Sequence, residues 1–324
     1  MDIRSPKAMK HEARQALSGG KSRQLVLIHS AVITGAAFLV TLLTFFLNRE
    51  TVSASGLAGL GTRSLFDTVK SLLSTANSIA LPFWEAGLIF SAIMWARREP
   101  TAPGSLLQGF RRFGPVLRLT LLKVGLLLMV ALVCINLGSF LFMMTPWADD
   151  LLNALSPFLQ PGADLDRLLM ETDHAAILTP MIPMMVLMAV LMGLCMVFFM
   201  FRFRMADYLI LDGRTSSALE AMSLSVRMTR RQIWNLLKLD LSFWWFYLGQ
   251  LLLTLLCYLD SILLMAGIAL PMSPDAMFLL CYSLYLVGQL GLFVLARAQV
   301  QTTYAIAYLR LSASQERFQL PQGL

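Results

Sequence analysis

Glu85 and Asp260 are the residues best placed to do chemistry in this chain, because each sits inside a long apolar run. An ionisable group in hydrocarbon is costly, so it usually faces a protein interior or a hydrated cavity. Glu85 follows Pro82-Phe83-Trp84 near the middle of one run, and Asp260 interrupts another. Two readings stay open. The two carboxyls line a path for an ion or small solute, or they are interhelical hydrogen-bond partners held protonated. Asp207, Asp240 and Arg297 lie at or past the ends of runs, where they read as interfacial, with side chains reaching toward headgroups. Gln250, Gln289, Asn136 and Gln299 can cross-link helices by hydrogen bonds of roughly 0.6–2 kcal/mol.

Other reactive patterns fail on spacing. Gly20-Lys21-Ser22 resembles the close of a phosphate-binding loop, but position 15 is Gln15 instead of glycine, and no strand precedes it. His11-Glu12 opens like a zinc-protease motif, yet position 15 supplies no histidine. The remaining histidines are His29 and His174. Cys134, Cys195, Cys257 and Cys281 fall inside apolar runs without CxxC spacing, so neither a metal site nor a disulfide framework is expected. Met181, Met184, Met185, Met188, Met192, Met196 and Met200 offer thioethers of the kind that carry copper(I). Mixed with leucine and valine on all sides, they read as adaptable packing residues. No cofactor and no catalytic set is expected; a lipid-modifying enzyme would have only Asp207 and Asp240 to draw on.

The elements that must position these residues are membrane spans. The chain has 324 residues, 57% hydrophobic and 14% charged, against about a quarter charged in soluble domains. Six runs reach the ~20 residues a spanning helix needs: Leu25 to Leu47, Ser78 to Ala96, Val124 to Met144 after Pro115, Met181 to Phe201, Leu241 to about Leu270, and Ala276 to Ala296. They are continuous, not alternating, and too long for barrel strands. The first is also longer than the apolar core of a signal peptide, so it is read as a retained span. The expected fold is therefore all-α: a polytopic membrane protein with six transmembrane helices in a single domain, residues 1–324.

Basic residues fix the orientation. They cluster in the N-terminal segment 1–24, between the second and third runs (Arg97, Arg98, Arg111, Arg112, Arg118), and in the 202–238 connection (Arg202, Arg204, Arg214, Arg227, Arg230, Arg231, Lys238). The 145–176 loop opposes Asp149, Asp150, Asp164, Asp166, Glu171 and Asp173 to the single base Arg167. Six crossings with both termini in the cytoplasm put every basic cluster inside. In such a chain the position of charge matters more than its +7 total, so nucleic acid is not an expected partner.

Three basic stretches have the spacing of surface helices: Lys7 to Leu17, ended by Gly19-Gly20, then Thr215 to Trp234, and a short one from Gly104 to Phe113. They would form a cytoplasmic collar. Arg111, Arg112, Arg227, Arg230 and Arg231 are its candidate contacts to anionic headgroups, at about 1 kcal/mol per well-placed base, or to a membrane-protein partner or second copy. Helix packing and topology alone are the plainer account of the same charges. A broken helix is expected over Leu151 to Met170, interrupted by Pro157 and Pro161.

An ordered set of local motifs runs through the chain. It comprises Ala13-Arg14-Gln15-Ala16-Leu17-Ser18-Gly19, Leu106-Leu107-Gln108-Gly109-Phe110, Met205-Ala206-Asp207-Tyr208-Leu209-Ile210-Leu211-Asp212, Ala218-Leu219-Glu220-Ala221-Met222-Ser223-Leu224-Ser225 and Leu239-Asp240-Leu241-Ser242-Phe243-Trp244-Trp245. This set resembles the DUF975 family of bacterial integral membrane proteins. More distantly, the layout is similar to the membrane domain fused to some glycerophosphodiester phosphodiesterases. The sequence departs from the family at Lys21, at Met228-Thr229-Arg230-Arg231 and at Ala307-Tyr308. The resemblance implies a fold and a bacterial cell-membrane location but no reaction. The expected role is a non-enzymatic scaffold, a lipid-interacting protein or an accessory subunit. The alternatives are a solute or ion transporter and a lipid-modifying enzyme.

Overall fold

The computed structural model describes residues 5–53, 57–156, 174–230, 232–259, 263 and 273–319. Among the described residues there is no strand. Helix α1 is Pro6–Ala16, α2 Gly20–Ser53, α3 Leu57–Ala96, α4 Gln108–Arg111, α5 Phe113–Met143, α6 Pro146–Leu155 and α7 His174–Leu211. These are followed by α8 Ala218–Thr229, α9 Ile233–Leu241, α10 Trp244–Cys257, α11 Pro274–Leu292 and α12 Ala298–Gln319. A 3-10 turn, Pro103–Leu107, precedes α4, and a π turn, Phe293–Arg297, joins α11 to α12.

Five helices are long and apolar enough to cross a bilayer: Ser22–Leu43, Thr68–Ala96, Phe113–Met143, Thr179–Leu211 and Ala276–Ser314. The bent pair α9 and α10, angled by 62°, makes a sixth when counted as one span. The chain is thus an all-α polytopic membrane protein. Most of these helices exceed the ~20 residues that hydrocarbon requires, because polar continuations extend the apolar runs. The break in the fifth run is at Ser242-Phe243; Asp260, where sequence placed it, lies outside the described residues, as does 157–173, most of the expected broken helix.

By backbone contacts the chain forms two compact units, Met1–Leu119 with Arg204–Leu324, and Thr120–Phe203. In the second unit the Met188 thioether packs over Gly138, as a gap-filling methionine does. In the first, α3 is central and packs on α2, α12 and α4. The α4 contact is backbone to backbone: a Cβ on Gly109 would collide with the Phe83 carbonyl, and one on Gly87 with the Leu106 carbonyl. The α10–α11 contact carries a hydrogen bond from Gln250 Nε2 to Gln289 Oε1 at 2.9 Å. Thr41 of α2 donates to the Tyr282 hydroxyl of α11 at 2.7 Å.

The tightest core lies toward the basic helix ends, where Tyr208, Tyr308, Phe83, Phe243, Leu236 and Leu239 are fully buried. Buried hydroxyls mix with them: Thr302, Thr303, Ser225 and Thr229 are all sealed from solvent. By contrast, Leu39, Leu72, Leu252 and Val287 on the apolar stretches of the same unit are exposed, as lipid-facing positions are.

Candidate functional site

The basic helix ends form a polar collar, and its local geometry begins with two matching helix stops. At the end of α3, Arg98 N–H bonds the Trp95 carbonyl and Glu99 N–H bonds the Met94 carbonyl, both at 2.9 Å. At the end of α7, Gly213 N–H bonds Ile210 at 3.1 Å and Arg214 N–H bonds Leu209 at 3.2 Å. Both are Schellman caps, which need a left-handed residue after the cap. Gly213 (φ 79°) suits that position, whereas Arg98 (φ 60°) is the one described non-glycine residue with positive φ. Arg98→Gly is therefore expected to raise stability by roughly 0.5–1 kcal/mol, read as a higher melting midpoint of the purified chain. An unchanged or lower midpoint would contradict this.

The two caps meet at one carboxylate. Asp212, the cap residue of α7, pairs with Arg97, the cap residue of α3, and with Arg214 Nε at 3.1 Å. The Tyr308 hydroxyl of α12 donates to it at 2.9 Å. Its side chain is only 3% exposed. Arg112 Nη1 donates to the Ile210 carbonyl at 2.5 Å, placing a cation at the C-terminus of α7, where the helix dipole favours one. Sequence reading set Arg112 on a lipid or partner surface; here it fastens the end of a helix.

A second cluster joins α7, the bent pair and α12. Arg204 Nη1 donates to both Asp240 oxygens, at 2.7 and 2.9 Å. The Tyr247 hydroxyl donates to Asp240 at 3.0 Å. The Arg204 guanidinium lies 4.2 Å from the Tyr304 ring centroid, a cation–π contact. Tyr208 donates to Gln301 Oε1 at 3.0 Å and stacks on Tyr308 at 5.6 Å, linking this cluster to Asp212.

Glu85 and Arg297 were separate candidates in sequence, and the fold pairs them. Because α3 runs on to Ala96, Glu85 lies about three turns (~16 Å) short of the helix end. Its side chain is 27% exposed and that of Arg297 14%. The Arg297 guanidinium also caps the Phe293 ring at 4.1 Å. Next to them, buried His29 places Nε2 3.0 Å from the Trp84 carbonyl.

Helix α1 is docked on protein. Met9 and Ala13 are fully buried, and Glu12 pairs with Arg310 of α12. Lys10 bonds the Ser242 carbonyl and lies 3.9 Å from the Phe243 ring centroid. Burial, then the Arg14 charge, hold its ammonium below the usual lysine pKa. The Ser5 side chain caps the helix and Pro6 opens it.

Arg111 on α4 is exposed, and so are Arg227, Arg230, Leu219 (71%) and Trp234 (75%) on the α8–α9 segment. Asp207 is half-buried on α7 between Ala206 and Tyr208. Arg231 and Asp260 lie outside the described residues. Sequence reasoning missed Asp212, Tyr208 and Tyr308 as members of one network, and Glu12 as the partner of Arg310. The Asp212-Gly213 dipeptide after an apolar run is a turn signal that marks the first of these; nothing local marks the others. No family model, curated protein or solved structure matches this chain.

Proposed function

We propose that this chain is a bacterial plasma-membrane protein with both termini in the cytoplasm, and that its collar is a non-enzymatic scaffold that gathers anionic lipid headgroups. The observation that carries this reading is the division of charge within the collar. Glu12, Asp212 and Asp240 are each held by an arginine, as is Glu85 deeper along α3, which suits a rigid frame and leaves these carboxylates poorly placed for acid–base work. Arg111, Arg227 and Arg230 stay exposed, and the α8–α9 segment that carries the last two also exposes Leu219 and Trp234. Basic and aromatic side chains on exposed surface suit a membrane interface, and Trp244 and Trp245 at the start of α10 are exposed as well. The ordered likeness to the DUF975 family agrees with this placement. A membrane-protein partner or a second copy would meet the same surface. A solute path draws less support, because Glu85 is neutralised by Arg297.

The test uses purified protein extracted from bilayers of equal phosphatidylglycerol and phosphatidylcholine. The wild-type chain should retain phosphatidylglycerol in excess. Arg227→Gln, Arg230→Gln and Arg231→Gln together should cut that excess at least threefold, given about 1 kcal/mol per base. Equal retention of both lipids by the wild type would overturn the reading.

A further inference from the structure

We propose that a groove between α1, α2 and the π turn binds one anionic phospholipid, with its phosphodiester between Arg14 and Arg23. The groove has a volume of about 570 Å³ and is partly open. Its polar end carries Arg14, Arg23 and Gln299. Among the described residues, neither arginine has a carboxylate partner, unlike Arg97, Arg204, Arg297 and Arg310. Two unpaired guanidiniums in one groove are an anion site of the right charge, and arginine suits phosphate oxygens in particular. The first turn of α2 adjoins them and contributes the positive end of a 34-residue helix.

The other end of the groove says which anion. Val26, Leu27, Val294 and Leu295 line it. Leu27 is 49% exposed and Leu295 78%, and both belong to helices apolar enough to cross a bilayer. The groove therefore opens onto lipid-facing surface below a basic rim, which fits a headgroup with its acyl chains better than a soluble phosphate. The π turn builds this wall. Its wider turn, a frequent mark of functional sites, keeps Phe293 and Ala296 buried and Arg297 turned to Glu85, while Leu295 stays outside. Ser18 and Ser22 also line the groove, but their hydroxyls donate to the backbone carbonyls of Gln15, Leu17 and Gly19. The phosphate thus takes its hydrogen bonds from the arginines and Gln299.

This site rests on the lipid-binding reading but uses residues apart from the Arg227–Arg231 edge. Native mass spectrometry of the detergent-purified chain titrated with phosphatidylglycerol tests it. The wild type should hold one phosphatidylglycerol well before others add, and bind phosphatidylcholine at least tenfold more weakly. Arg14→Gln with Arg23→Gln should weaken that first site at least tenfold. Leu27→Trp, which crowds the apolar end and keeps the charge, should weaken it as well. Arg227→Gln, Arg230→Gln and Arg231→Gln together should leave it within twofold, and millimolar inorganic phosphate should not displace the lipid. An unchanged first site in the Arg14/Arg23 variant overturns the groove while leaving the collar reading intact. Displacement by inorganic phosphate overturns the lipid assignment. Absence of any phosphatidylglycerol preference in the wild type overturns both.

Discussion

Asp240→Ala should lower the melting midpoint of the purified chain by roughly 6–12 °C. The wild-type carboxylate takes two hydrogen bonds from Arg204 and one from Tyr247. Both ionic side chains are only 16% exposed. Removing one partner of such a pair leaves a cation in a site that cannot hydrate it, a cost of about 3–5 kcal/mol. At 2–4 °C per kcal/mol for larger domains, the lower part of that range gives the expected shift. The pair itself need not be a net stabiliser, because replacing both members by apolar groups is often neutral. Asp240→Leu with Arg204→Met should therefore melt closer to wild type than Asp240→Ala does. The check is an intrinsic-fluorescence melt in one detergent for all three proteins. A midpoint for Asp240→Ala within 2 °C of wild type would show that Arg204 finds another partner or water at no cost.

The same pair shows which parts of this fold are legible from residues alone. The spans are legible because a stretch of 18 or more apolar residues seldom occurs except where a helix crosses lipid. Helix α1 is legible too, from the spacing over Lys7 to Leu17 and the Gly19-Gly20 stop; the structure starts it at Pro6 behind a Ser5 cap. The basic collar shows in the charge pattern, but its internal pairings do not, since hydropathy registers the lipid-facing length of a helix and falls silent where the helix continues among polar neighbours. Helix α12 is the clearest case. It looks like a polar tail in sequence, yet Thr302, Thr303, Tyr304 and Tyr308 are all buried against other helices. Pairings such as Glu85 with Arg297, 212 residues apart, depend on which helices are neighbours, which no local pattern encodes. The bend at Ser242-Phe243 carries neither glycine nor proline to announce it; Lys10 on the distant α1 bonds the Ser242 carbonyl.

Asp212→Ala should loosen the ends of α3 and α7 together. Arg97, Arg214 and Tyr308 all converge on this carboxylate, which is nearly inaccessible to solvent. The Arg97 and Arg214 side chains are 36% and 34% exposed and can turn to water, so the loss falls mainly on the Tyr308 hydroxyl, a global cost of about 1–2 kcal/mol. The more telling effect is local. Each Schellman cap is held by its own backbone bonds, but the two caps are tied to each other only where Arg97 meets Asp212 among the described ion pairs. Amide exchange in peptides covering residues 94–101 and 209–216 should therefore accelerate at least tenfold in Asp212→Ala. A peptide within Ser22–Leu43, away from the caps, should not change. Asp212→Asn keeps one acceptor oxygen for Tyr308 and should fall between the two. Faster exchange across all three peptides would mean general unfolding instead of a local release. Unchanged exchange in both cap peptides would show that each helix end holds without the shared carboxylate.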